Sequence, residues 1–227
     1  MQPRPLTTFQ DFTATVDELG FMPLSSNKIS FPSLEGLTTR DRWHTNLDND
    51  PWQWKTRIVD EGKAAYAKLF GGKPGFISLS WYPIFLSARR GGEDFESLYG
   101  QGLMSHEAKR IYNLFDENPV LATHEIKGMA GMGKEAKAEY ERAMVELQMR
   151  MFITIQGMTR MVGRSGTPHS WPATSYTTVE NWAKPEMIRD SLKIDPDEAL
   201  ERIVERVLAI VPDADLKKAQ RFAMGPK

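Results

Sequence analysis

The chain has 227 residues and a net charge of −1, from 29 Lys and Arg against 30 Asp and Glu, so its bulk charge does not draw it to nucleic acid. Hydrophobic residues make up 41% and charged residues 26%, the balance of a folded protein with a normal core. Cysteine is missing, which excludes disulfides, thiolate nucleophiles and cysteine zinc sites, and no run of about 18 apolar residues offers a membrane helix. The opening Met1-Gln2-Pro3-Arg4-Pro5 has no apolar signal core, so the expected location is the cytoplasm.

From the N-terminus, Thr8 to Leu19 reads as a helix stopped by Gly20, with Phe21-Met22-Pro23-Leu24 extended after it. Residues 25–50 read mostly as loop, punctuated by Asn27, Pro32, Gly36, Asn46 and Asn49. Pro51 starts a second helix expected to run towards Phe70, and Gly71 to Gly75 forms a turn. Phe76 to Leu79 is a strand or the lead into a helix over Trp81–Ala88, which ends in Arg89-Arg90-Gly91-Gly92.

The middle of the chain carries the strongest pattern. Ser105 caps a helix bearing Ala108, Ile111, Tyr112, Leu114 and Phe115, and Asn118-Pro119 ends it. Thr123 caps a second, shorter helix with Ile126, Met129 and Ala130, stopped at Gly131-Met132-Gly133. Lys134 to Arg150 makes a third, with Tyr140, Ala143, Met144 and Leu147 on one face. Next come a strand over Met151–Ile155, a Gly-rich turn region and a second β-rich run over Ser175–Val179. Three helices and a hairpin spell a winged helix-turn-helix, whose third helix enters the major groove when the module binds DNA. Two helices close the chain, one from Asp195-Pro196 to Pro212 and one from about Asp213 to Met224.

The expected fold class is α+β and mainly helical: winged helix-turn-helix units packed with a small β-barrel or β-hairpin elements. The expected organisation is an N-terminal region over 1–103, a winged helix over 104–180 and a C-terminal helical region over 181–227, packed as one compact unit.

Charge patterning leaves two readings of the winged helix open. No acidic residue lies between Met151 and Val179, while Arg160 and Arg164 are basic, which suits phosphate contact. The third helix is balanced, with Lys134, Lys137, Arg142 and Arg150 against Glu135, Glu139, Glu141 and Glu146. Lys134, Lys137, Arg142 and Gln148 stand as candidates for phosphates or base edges, and Arg89 and Arg90 for a phosphate clamp. The competing reading makes the module a scaffold or dimerisation surface, with the third helix's charges paired among themselves.

The second feature is Arg40 to Trp54, rich in aromatic and ionisable groups. Trp43, Trp52 and Trp54 can stack a base, and His44, Asp48 and Asp50 are the candidate catalytic groups, orienting a water at an anomeric carbon. The bland alternative is a surface loop whose tryptophans anchor it to the core. No metal or cofactor is expected, because the His and Asp spacing fits no fixed ligand pattern and no Walker loop, GxGxxG or HExxH occurs.

Leu19-Gly20-Phe21, Pro51-Trp52-Gln53-Trp54 to Ala65-Tyr66, Trp81-Tyr82-Pro83 to Arg89-Arg90, and the winged helix ending in Leu147-Gln148-Met149-Arg150 occur in an order that resembles the winged-helix DNA glycosylases of the AlkZ (YcaQ) type. The resemblance is closer still to their AlkZ-related relatives. It implies winged-helix units around a small β-barrel, DNA as partner, and metal-free excision of alkylated or crosslinked bases. It also implies a Gln-x-Gln or Gln-x-Asp signature just after the Leu-Gly-aromatic segment. Here that stretch reads Met22-Pro23-Leu24-Ser25, and Pro23 carries no side-chain donor or acceptor.

Overall fold

The computed structural model describes residues 4–159 and 173–224. They form two compact units. One joins the chain up to Gly92 with the segment from Lys184 onward, and the other runs from Glu93 to Ala183.

In the first unit, α1 (Phe9–Leu19) starts in a reciprocal capping box, Thr8 accepting from the Asp11 N–H and Asp11 from the Thr8 N–H. Gly20 ends it at φ +88°, where a Cβ would lie 2.5 Å from the Trp81 indole, so only glycine fits. β1 (Phe21–Pro23), β2 (Ala64–Phe70) and β3 (Lys73–Ser78) form an antiparallel sheet in the order β1-β3-β2. Pro23 sits on an edge strand, where its missing N–H costs least. A 3-10 turn (Arg40–Arg42) and α2 (Pro51–Asp60) lie between β1 and β2. After β3 comes α3 (Tyr82–Arg90), stopped by Gly91 in the left-handed region.

The helix expected to continue from Pro51 towards Phe70 breaks after Asp60. Gly62 adopts φ +60°, and Ala64 to Phe70 becomes a strand paired with β3 and buried on both faces. The alanines there favour a helix in isolation, but the ladder to β3 and the packing of Tyr66 on Phe76, 4.9 Å apart, outweigh that local preference.

The second unit contains α4 (Phe95–Gly100), α5 (His106–Tyr112), a 3-10 turn (Asn113–Phe115), β4 (Leu121–Ala122), α6 (Thr123–Met129), α7 (Lys137–Met149), β5 (Ile153–Thr159), β6 (Ala173–Thr178) and α8 (Val179–Trp182). Its sheet is antiparallel in the order β4-β6-β5. Ile111, Phe115, Ile126, Tyr140, Leu147 and Phe152 meet in one core. The expected Ser105 cap forms, the side chain accepting from the Ala108 N–H. Thr123 instead opens α6 from inside, and its hydroxyl donates to the Thr174 carbonyl, tying the helix to β6.

The chain returns to the first unit through α9 (Pro185–Ser191), α10 (Pro196–Ile210) and α11 (Leu216–Met224). Phe222 of α11 stacks on Phe70 at 4.9 Å, which seats the last helix on the first sheet. The architecture is thus mixed α/β with two small open antiparallel sheets. The β-barrel that the resemblance implied is not present among the described residues, because each sheet stops at three strands with free edges. No helix among them is long and apolar enough to cross a membrane.

Candidate functional site

The loop before α2 is organised by one carboxylate. Asp50 is fully buried. Its oxygens accept from the backbone N–H groups of His44 at 3.0 Å, Asn46 at 2.9 Å and Trp52 at 2.9 Å. The last is the N-cap bond of α2, with Pro51 at the first helical position. His44 and Asn46 take φ of +63° and +60°, a conformation that non-glycine residues adopt only when their surroundings enforce it. The Asp50 bonds to these two N–H groups supply that enforcement.

This geometry sorts the residues that the sequence put forward together. Asp50 is a cap and loop hub, so its lone pairs face protein backbone rather than a substrate water. Trp54 is a core residue, fully buried and stacked on Phe12 at 5.9 Å, with its indole N–H donating to the Asp48 carbonyl at 2.8 Å. Stacking a base is closed to it. Trp43 is half-buried and its indole N–H donates to the Thr38 hydroxyl. His44 and Asp48 are exposed, and so is Trp52, at 40%.

The His44 ring lies 4.7 Å from that of Trp52, and the Gln53 amide donates to the Asn46 side chain at 3.1 Å. Lys55, one helical turn from Trp52, places Nζ 2.9 Å from the centroid of the indole ring. Burial pushes the Lys55 ammonium down to about 8. The sequence reasoning passed over this lysine. Its signal was the three-residue spacing from Trp52 on a helix whose inward face is Pro51, Trp54 and Ile58. Among the described residues no group of three or more His, Asp and Glu is arranged to hold a metal ion.

In the second unit, Lys134 is exposed just before α7, and Lys137 and Arg142 are exposed on it. Lys137 pairs with Glu141 at 3.8 Å and Arg142 with Glu139 at 3.4 Å. No side chain caps the first turn of α7, which leaves backbone N–H groups beside Lys134 and Lys137. Lys127 of α6 lies 4.8 Å from the ring of Tyr140, joining the two helices, and burial raises the Tyr140 hydroxyl above the usual phenol range.

Gln148 is buried and donates to the Met144 carbonyl at 2.7 Å, so it faces the core and cannot read a base edge. Arg89 is buried as well. Its guanidinium donates to the Leu69 carbonyl at 2.6 Å and the Ala223 carbonyl at 2.7 Å, bridging β2 and α11, and burial lowers it to about 9. A phosphate clamp at Arg89 is therefore ruled out by its place in the core, and Arg90 beside it is half-buried. Arg160 and Arg164 lie outside the described residues. The stretch that the resemblance sets against the glycosylase signature, Met22 to Ser25, is the end of β1 together with Leu24 and Ser25. Pro23 is buried there with its carbonyl accepting from the Leu34 N–H, and Ser25 is half-buried.

The fold is thus mixed α/β, with an aromatic loop on one unit and a helical pair with exposed cations on the other. The family described as AlkZ related matches residues 6–224, and the chain belongs to it. No curated protein matches the chain. Among solved structures it is similar to the Streptomyces sahachiroi DNA glycosylase AlkZ, at 13% identity and a TM-score of 0.40, covering 77% of this chain. The chain spans 50% of the length of that glycosylase.

Proposed function

We propose that this protein is a DNA-associated winged-helix member of the AlkZ-related family that binds duplex or damaged DNA through its second unit. The observation that carries the reading is the family match over nearly the whole chain, at residues 6–224. The order from α5 to β6 in the second unit supports it: a helix, a short strand, two helices and a hairpin, with β4 paired to β6 in the order β4-β6-β5. In a winged helix α7 is the groove-entering helix. Its uncapped first turn, with Lys134 and Lys137 beside it, suits a phosphate. Arg142 on the helix and Arg160 and Arg164, in the carboxylate-free sequence between β5 and β6, would add further phosphate contacts.

Base excision of the glycosylase kind is a weaker reading of this chain, since Pro23 stands where the signature needs an amide and Asp50 is committed to backbone. A scaffold role draws on a specific observation, the two ion pairs along α7, which spend its cations internally. Fluorescence anisotropy on a labelled duplex across a salt series separates these. DNA contact predicts binding whose log–log salt slope becomes shallower by about one unit each for Lys134→Ala, Arg160→Ala and Arg164→Ala. No binding at low ionic strength would leave the scaffold reading.

A further inference from the structure

DNA docking along the exposed face of α7 leaves unused a phenol and an ammonium inside the second unit. We propose that Tyr140 and Lys127 form a binding site for a phosphate group, held between α6, α7 and β6. The backbone of DNA is one source of such a group, and that source rests on the DNA reading above; the site itself does not.

The first support is an unanswered donor. Tyr140 is 4% exposed, and among the described residues its hydroxyl meets no hydrogen-bond partner. The hydroxyls beside it are served. Thr123 donates to the Thr174 carbonyl at 3.0 Å, and Tyr176, packed against the same core, has Thr123 within hydrogen-bonding reach. A buried hydroxyl without a partner gives up its bonds to water and gains none in return. Phenylalanine would fill the same space without that cost.

The second support is the charge against the same ring. Lys127 of α6 places Nζ 4.8 Å from the centre of the Tyr140 ring, and among the described residues no carboxylate pairs with it. The acid of its own helix, Glu125, is spent on the Ala122 N–H at 2.7 Å. Lysines elsewhere in the unit meet acids directly: Lys109 reaches Glu96 at 2.7 Å and Lys137 reaches Glu141 at 3.8 Å. Lys127 and Tyr140 belong to different helices, so tertiary packing rather than helical spacing brings them together. The ring thus holds an ammonium that no acid neutralises.

Thr123, Lys127 and Tyr176 are half-buried, so the cluster reaches the surface on their side. Burial first, then Tyr176 and Glu141, hold the Tyr140 hydroxyl above the usual phenol range, so it stays protonated and able to donate. A phosphate answers both groups: its oxygens accept from the phenol and from the ammonium, and its charge offsets that of Lys127. A buried water would answer the hydroxyl and leave the charge uncancelled.

The test titrates inorganic phosphate into the full chain at constant ionic strength, followed by phosphorus NMR. Saturable binding is expected, at least about fivefold weaker in Tyr140→Phe and about tenfold weaker in Lys127→Met. Thr154→Val, which removes another unpartnered buried hydroxyl of this unit, should leave it unchanged. Without phosphate, Tyr140→Phe should unfold at the urea midpoint of the parent or a higher one, because it deletes an unanswered hydroxyl. A lower midpoint, or phosphate binding that ignores both substitutions, overturns the site: the hydroxyl then serves the fold, and bound phosphate is an adventitious ion only. A labelled duplex read by anisotropy distinguishes the source. Competition by phosphate, with a salt slope shallower by about one unit in Lys127→Met, supports the DNA backbone. Duplex binding indifferent to phosphate and to Lys127→Met assigns the site to free phosphate and leaves the DNA reading standing. No duplex binding, with phosphate binding still dependent on Tyr140, removes the DNA reading and keeps the site.

Discussion

The loop from Trp43 to Lys55 and the helix α7 both gather charged residues from a chain that is nearly neutral, and they treat those charges in opposite ways. In the loop, the one buried carboxylate is spent on three backbone N–H groups, and the nearby Lys55 is left over an indole without an acidic partner among the described residues. On α7, cations and carboxylates face solvent and neutralise each other one turn apart. A carboxylate bonded to backbone shapes the chain, whereas exposed pairs contribute little stability and exchange readily with solvent. The loop is therefore built for position and α7 for adjustable charge.

The contrast breaks most visibly at Asp50. Asp50→Ala leaves three N–H groups unpaired in a buried setting and releases two strained residues. We expect a loss of about 3 kcal/mol in urea unfolding, with the Trp52 environment altered in fluorescence. A loss under about 0.5 kcal/mol would mean that the loop is not held by this carboxylate.

A smaller effect is expected at Lys55, and its sign comes from linkage. The folded group titrates at about 8 and the unfolded one at its ordinary 10.5, so between these values the unfolded chain binds more protons. Stability relative to Lys55→Met is therefore lowest below pH 8 and recovers as pH rises through 8 towards 10.5. Urea midpoints of both proteins at pH 7 and pH 10 check this, and a gap that widens at pH 10 would contradict it.

The smallest effect belongs to α7. Glu139→Gln with Glu141→Gln should shift urea stability by no more than about 0.5 kcal/mol, because exposed pairs are worth little. The same variant should tighten duplex binding by roughly two- to fivefold and steepen its salt dependence, since Lys137 and Arg142 lose their competitors. Unchanged binding would favour α7 as a scaffold helix.

Much of the fold was legible where local chemistry decides it. Thr8, Ser105 and Asp195 each announce a helix start, and each accepts the expected N–H bond. The two-residue β4 and the β2 strand were not legible, since each depends on a strand distant in sequence for its ladder. The candidate site was half legible. Trp52 and Trp54 lie two apart on α2 and so must face opposite ways, which already separates a solvent indole from a core one. Arg89 and Gln148 misled, because a polar side chain near a helix end reads as surface until the carbonyls it serves are seen.

The pattern of residues alone determined where α1, α2, α5 and α10 begin, that a hairpin follows α7 and which family the chain resembles, because caps, periodicity and glycine stops act over a few residues. Only the tertiary structure decided which charges are free to act. Burial, backbone acceptors and an indole from the previous turn set the state of Asp50, Arg89 and Lys55, and each of those is a property of surroundings brought together by folding.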